Sequence, residues 1–112
     1  MTLPLTPQMI AGAYEFLRQT PPFRGWKLPH ADEVEFGVTA HRDREADWGK
    51  NKDGAHVIRV SASGIGTTDS LMQAVAHEMI HAKHGFAHGA AFARAAQRAC
   101  TYHGWDRKRF AL

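Results

Sequence analysis

The sequence has only one cysteine, Cys100, among its 112 residues. A single cysteine excludes an internal disulfide and a four-cysteine metal site, and it favours a reducing compartment. No run approaches the roughly 18 consecutive apolar residues of a transmembrane helix, so no membrane partner is expected. The first residues carry no positive charge, and Pro4 and Pro7 interrupt them, which argues against a secretory signal. We therefore expect a cytoplasmic, intracellular protein.

Long runs of one charge are also missing. The chain has 14 Lys and Arg against 11 Asp and Glu, a net charge of +3, and its densest basic cluster is Arg107-Lys108-Arg109. Such a surface permits contact with DNA or a DNA-bound protein without requiring it. With 44% hydrophobic residues, the chain is expected to fold as one domain, residues 1–112, around one small core, and to be a monomer.

The order of hydrophobic patterns predicts an α+β fold. Thr6-Pro7 is typical of a helix start, and Pro21-Pro22 stops that helix. Asp53-Gly54 is a turn signal between two short strand-like segments, which should form an antiparallel hairpin. We expect a small antiparallel sheet of about three strands, made of residues 34–38, 46–49 and 56–62. Two helices follow, one from residues 67–70 to about residue 84 and the other over residues 89–103.

Histidine is the unusual residue in this composition. There are eight, and four lie within twelve residues, at positions 77, 81, 84 and 88. His77-Glu78-Met79-Ile80-His81 is an H-E-x-x-H pattern, in which imidazoles four residues apart share one helix face and can bind one metal ion. Glu78 lies about 100° around the helix from His77, so it can handle protons without being a ligand. Neutral imidazoles with an open position suit catalytic zinc.

A third ligand is needed, and His84 and His88 are the candidates. On an unbroken helix, His88 would stand about 10 Å beyond His81, too far to share one ion. Gly85 is a natural helix end, and a turn through Phe86-Ala87 would return His88 to the site. We therefore favour His88 and keep His84 as the alternative.

The two histidine segments resemble those of the SprT-like (Spartan-related) zinc metallopeptidases of the zincin superfamily. In that family H-E-x-x-H is followed by a histidine in an H-G-x-x-F-like segment, here His88-Gly89-Ala90-Ala91-Phe92. Trp48-Gly49 and the strand over residues 57–61 precede the motif in the family's order, so the resemblance covers about residues 34–105. It implies a minimal zincin-like domain that holds one zinc ion, with these functional residues: His77, His81 and His88 as ligands and Glu78 as catalytic acid/base.

The expected function is therefore zinc-dependent hydrolysis of peptide bonds in a protein or peptide substrate, by a metal-activated water with Glu78 as general acid/base. Two alternatives stay open. One is a DNA-associated binding module whose structural zinc ion joins two helices without catalysis, with His84 as the natural fourth ligand. The other is a fold without metal, in which the histidine spacing is a coincidence.

Other residues have less specific interpretations. A substrate strand is expected along the sheet, beside residues 56–62. Asp106 is a candidate acceptor for a ligand histidine, with an exposed helix-end carboxylate as the alternative. Candidates for stabilising an oxyanion, with packing or exposure as the alternative for each, are Tyr102, His103 and His84. Residues interpreted as structural are His30, His41 and His56, with Trp26, Trp48 and Trp105 as core or rim aromatics.

Overall fold

The computed structural model describes residues 4–40, 45–63 and 67–110, the side chain of Arg109 excepted. His41, interpreted above as structural, lies outside these residues. The elements are α1 (Pro7–Arg18), a 3-10 turn (Ala31–Glu33), β1 (Glu35–Thr39), β2 (Ala46–Lys50), β3 (His56–Ser61), α2 (Thr68–His84), α3 (Ala90–His103) and α4 (Arg107–Phe110). This order confirms the α+β class and adds the short α4, which the sequence pattern does not predict. Within the described residues, no helix combines the length and the apolar character that a bilayer crossing demands.

α1 begins at the residues that the sequence predicts. Thr6 has extended backbone, and its Oγ1 accepts a hydrogen bond from the Met9 amide at 3.2 Å. Pro7 occupies the first turn, where a missing amide hydrogen costs nothing. The helix packs against α2 and β1, and it buries one face, made of Ile10, Ala13, Tyr14 and Leu17.

The sheet is mixed rather than antiparallel throughout. Its strand order is β1-β3-β2, with β2 antiparallel to β3 and β1 parallel to β3. The hairpin predicted around Asp53-Gly54 is confirmed, and Gly54 has a φ of +83° at its turn. The expected antiparallel pairing of the first strand is wrong, because side-chain alternation reports which face is buried and carries no information on strand direction.

β3 is the central strand, and this excludes the substrate position expected beside residues 56–62. β3 pairs with β1 along one edge and with β2 along the other. In this register Phe36 of β1 and Trp48 of β2 each lie opposite Ile58. In the described part of the chain, the outer edges of the sheet belong to β1 and β2. An added strand must therefore pair with one of these two.

α2 is the central helix and contacts α1, α3, β2 and β3. It begins with a capping box: Thr67 Oγ1 accepts a hydrogen bond from the Ser70 amide at 3.0 Å, and Ser70 Oγ accepts one from the Thr67 amide at 3.2 Å. Because neighbours surround the helix, polar residues of the H-E-x-x-H segment are buried as well, namely Glu78 and His81. The helix ends at Gly85, whose φ of +83° favours glycine.

α3 and α4 close the domain against α2. α3 buries one apolar face, made of Phe92, Ala95, Ala96, Ala99 and Cys100. The Trp105 indole nitrogen donates to Asp69 Oδ1 at 2.9 Å, which ties the end of α3 to the first turn of α2. α4 then places the ring of Phe110 in the core, beside α2.

Candidate metal site

Three histidine rings converge where α2 ends and α3 begins. Nε2 of His81 lies 3.1 Å from Nε2 of His77 and 3.0 Å from Nε2 of His88. One ligand atom of each residue lies within 4.8 Å of the other two. Nitrogens that share a tetrahedral metal ion at about 2.0–2.1 Å are about 3.3 Å apart. The three residues, called the histidine cluster below, therefore lie close enough to hold one metal ion.

A backbone carbonyl orients the His81 ring. Nδ1 of His81 donates to the Gly85 carbonyl at 2.8 Å, and the Gly85 amide donates to the His81 carbonyl at 2.7 Å. A carbonyl can only accept, so the neutral His81 ring carries its hydrogen on Nδ1, the nitrogen away from the cluster. The Nε2 atom of His81 therefore faces His77 and His88 with a lone pair, the form in which an imidazole binds a metal ion.

Phe92 packs against all three rings of the cluster. Its ring centre lies 5.0 Å from that of His77, 4.9 Å from that of His81 and 4.6 Å from that of His88. Phe110 adds a second aromatic contact, 5.9 Å from the His77 ring. Both phenylalanines are buried, so they restrict the positions of the imidazoles, while the His88 ring itself is exposed.

The environment also keeps two of the imidazoles neutral. Burial, with smaller contributions from the neighbouring histidines, lowers the pKa of His77 to about 4. Burial also lowers the pKa of His81, against the opposing effect of its hydrogen bond to Gly85. Metal ions bind the neutral form of imidazole, so at neutral pH these two rings are in the form that a ligand needs.

Glu78 is buried beside the cluster without joining it. Its side chain is 5% exposed, and its oxygens are not among the converging ligand atoms. Burial, followed in size by the Asp47 carboxylate of β2, raises the pKa of Glu78 to about 8. A carboxyl group with a pKa near neutrality can both accept and donate a proton under ordinary conditions.

Of the two candidates for a third ligand, the structure brings His88 to the cluster and leaves His84 outside it. The turn at Gly85 returns the chain as expected, so that His88 completes the group of three. The exposed ring of His84 instead packs edge-on against Trp26, with ring centres 5.4 Å apart.

Two candidates for oxyanion stabilisation, Tyr102 and His103, and the candidate acceptor Asp106 are exposed or engaged with other groups. Tyr102 is 58% exposed. His103 Nε2 lies 3.2 Å from Thr20 Oγ1, and its ring stacks on Trp105 at 4.4 Å. Asp106 Oδ1 accepts a hydrogen bond from the Lys108 amide at 2.9 Å, in agreement with the helix-end alternative. His103 and Asp106 contribute no ligand atom to the histidine cluster.

Two further histidines have the structural partners that their interpretation implies. His30 Nδ1 lies 3.0 Å from Arg18 Nη2. His56 Nδ1 accepts a hydrogen bond from the Trp48 indole nitrogen at 2.9 Å. Both rings are therefore engaged with neighbouring side chains.

Sequence reasoning missed the groups that support the cluster. It identified Gly85 as a helix end but not as the acceptor for His81. It placed Phe92 in the H-G-x-x-F-like segment without its contact to all three imidazoles, and it did not assign Phe110 at all. The Gly85 contact had a local signal, a glycine four residues after a histidine in the last helical turn. The Phe110 contact had none, because it joins distant parts of the chain.

Comparison of the chain with known protein families, with curated proteins and with solved structures finds no match. The resemblance to SprT-like metallopeptidases therefore stays a prediction from the motifs. What the site can do is argued from its own geometry.

Proposed function

We propose that the protein is a zinc-dependent hydrolase of peptide bonds, of the SprT-like metallopeptidase type. The proposed zinc ligands are His77, His81 and His88, and Glu78 is the proposed general acid/base. The observation that carries the proposal is the convergence of three imidazoles beside a buried carboxyl group that takes no part in their cluster. A site that served only to hold the fold together would have no use for that carboxyl group.

The donor set is suited to zinc. Imidazole nitrogens are common zinc ligands, and three protein ligands leave one position of a tetrahedral site open, as in catalytic zinc sites. The Gly85 carbonyl orients His81 so that its Nε2 presents a lone pair to the cluster. When bound there, zinc would supply a Lewis acid that polarises a carbonyl group and lowers the pKa of water.

Glu78 would move the proton during hydrolysis. Its carboxylate would take a proton from the attacking water and deliver it to the nitrogen of the leaving amine. This transfer needs both protonation states of the group near neutral pH. The pKa of about 8 that burial gives Glu78 favours such two-way transfer.

We place the peptide substrate along β2. One edge of β2 pairs with β3, and the strand contacts α2, the helix that carries the motif. Asp47 of β2 is close enough to Glu78 to raise its pKa. A peptide that added to the outer edge of β2 through main-chain hydrogen bonds would therefore run beside the proposed catalytic groups.

The DNA-associated binding module is the main alternative. A closed structural zinc site has four protein ligands, and the natural fourth, His84, packs against Trp26 instead. The exposed arginines of α3, Arg94 and Arg98, are compatible with a DNA-bound partner and do not distinguish the two functions.

The proposal is tested by metal analysis combined with a cleavage assay on an unfolded protein. We expect one zinc per chain, and cleavage that a chelator abolishes and added zinc restores. The assay is run with and without DNA. Zinc binding without cleavage in either arm, together with salt-sensitive retention on DNA, would favour the binding module. Absence of zinc and a stability unaffected by chelator would favour a fold without metal.

Gly85 provides a test of how the site is oriented. Replacing Gly85 with alanine places a side chain at a φ of +83° and a ψ of −170°, a conformation almost confined to glycine. The resulting shift of the Gly85 carbonyl should weaken its hydrogen bond with His81, and we expect zinc affinity to fall about 10- to 100-fold. Competition with a chromophoric chelator measures the affinity.

Gly89 is the matched control for this substitution. It lies in the same connection, has a φ of −82°, and an added Cβ would meet no atom within 4 Å. Gly89→Ala should leave zinc affinity nearly unchanged. Equal affinities for the two alanine variants would show that the Gly85 carbonyl does not orient His81.

A further inference from the structure

An exposed aromatic residue lies in the connection that joins two proposed ligands. Phe86 follows Gly85, two residues before His88, and is 73% exposed. Its ring centre lies 4.9 Å from that of Trp48 on β2, with the planes inclined at 53°. The pair therefore bridges the ligand connection and the strand along which we place the substrate. We call Trp48 and Phe86 the aromatic pair.

The Trp48 ring is held in place from its other side. Its indole nitrogen donates to Nδ1 of His56 at 2.9 Å, and the two rings are 5.8 Å apart. Trp48 lies opposite Ile58, a buried core residue, in the register of β2 with β3. Its side chain thus lies on the face of the sheet that packs against the core. A ring fixed in this way offers a contact surface that loses little conformational entropy on binding.

Strand geometry connects this surface to a bound peptide. Successive side chains of a strand point to opposite faces of its sheet. A peptide paired with β2 would therefore direct every second side chain to the face that carries Trp48. There one of these side chains would meet the exposed ring of Phe86. Exposed apolar groups beside a binding edge are typical of pockets that select a side chain.

We propose that the aromatic pair binds one large apolar side chain, aromatic or branched aliphatic, of a polypeptide substrate paired with β2. This inference rests on the proposed function and adds the substrate class: segments of unfolded protein that expose such residues. The peptide backbone supplies the strand pairing, and the aromatic pair supplies the selection.

The test uses sets of peptides, each set varied at a single position on one side of the cleaved bond or the other. Within a set, the varied residue is phenylalanine, leucine, alanine or aspartate. With zinc-loaded wild-type protein, we expect kcat/KM at one position to be about tenfold higher for phenylalanine or leucine than for alanine. Phe86→Ala should reduce this ratio to near one. Phe16→Ala removes a phenylalanine of α1 that is 56% exposed, and it should leave the ratio unchanged.

A binding measurement separates this inference from the proposed activity. The same peptides are titrated into zinc-loaded Glu78→Gln protein, with and without Phe86→Ala, and the ratio of Kd values is compared. Preferential binding that depends on Phe86 supports the inference even if wild-type protein cleaves nothing, a result that would overturn only the hydrolase. Cleavage without preference, or a preference that persists in Phe86→Ala, overturns the inference and leaves the hydrolase in place. Neither binding nor cleavage of any peptide overturns both.

Discussion

Glu78→Gln is expected to retain zinc at one ion per chain while kcat/KM for peptide hydrolysis falls about 10²- to 10⁴-fold. Glutamine has nearly the shape of glutamate and can still donate and accept hydrogen bonds, but it cannot carry a proton between two reacting groups. Because Glu78 is buried and lies outside the converging ligand atoms, its replacement should leave the three imidazoles in place. Zinc content and cleavage of an unfolded protein are measured on the same preparation.

Glu35→Gln serves as the control for this experiment. Glu35 is an exposed residue of β1, so the substitution makes the same chemical change away from the site and should leave cleavage unchanged. Undiminished hydrolysis by the Glu78 variant would remove Glu78 from the reaction. Loss of zinc together with loss of activity would instead assign it a part in holding the metal.

His81→Ala is expected to abolish zinc binding, and His84→Ala is expected to preserve it. His81 has the central position in the cluster, with its Nε2 within 3.1 Å of the Nε2 atoms of both other rings. His84 is in the same helical turn, but its ring contacts Trp26. The two variants therefore compare histidines at the same end of α2, and only His81 belongs to the histidine cluster.

The same comparison has a readout in the free energy of unfolding. A ligand that binds only the folded state adds about 2.7 kcal/mol at a free concentration 100 times its Kd. We expect zinc to raise the thermal midpoint of wild-type and His84→Ala protein and to leave that of His81→Ala unchanged. Zinc stabilisation that disappears in His84→Ala would place His84 in the metal site and would favour the four-histidine structural alternative.

Local patterns predicted the helices well because they depend on residues close together in the sequence. Thr6-Pro7 marked the start of α1, and the range predicted for the last helix, residues 89–103, matches α3 within one residue. The return of His88 could also be predicted, because Gly85 stops α2 and leaves a connection too short to reach elsewhere. The proximity of His77, His81 and His88 follows from these local rules.

Features that depend on distant residues were not predictable in the same way. Alternation along β1 indicated a strand, but its parallel pairing with β3 depends on the path of the chain between them. The central position of β3 also depends on the path of the chain. Because β3 is central, a peptide can pair with the outer edge of β2 but not with β3. The contact of the Phe110 ring with the His77 ring depends on α4, which has one turn and almost no periodicity to detect.

The two hydrogen bonds between His81 and Gly85 link metal affinity to fraying at the end of α2. One bond closes the last helical turn, and the other orients the imidazole. Unwinding of this turn would break both together and would turn His81 away from its neighbours. An ion held by His81 would oppose that unwinding, so metal loading and local helix order become two readouts of a single equilibrium. Amide hydrogen exchange at Gly85 would then slow as the site fills.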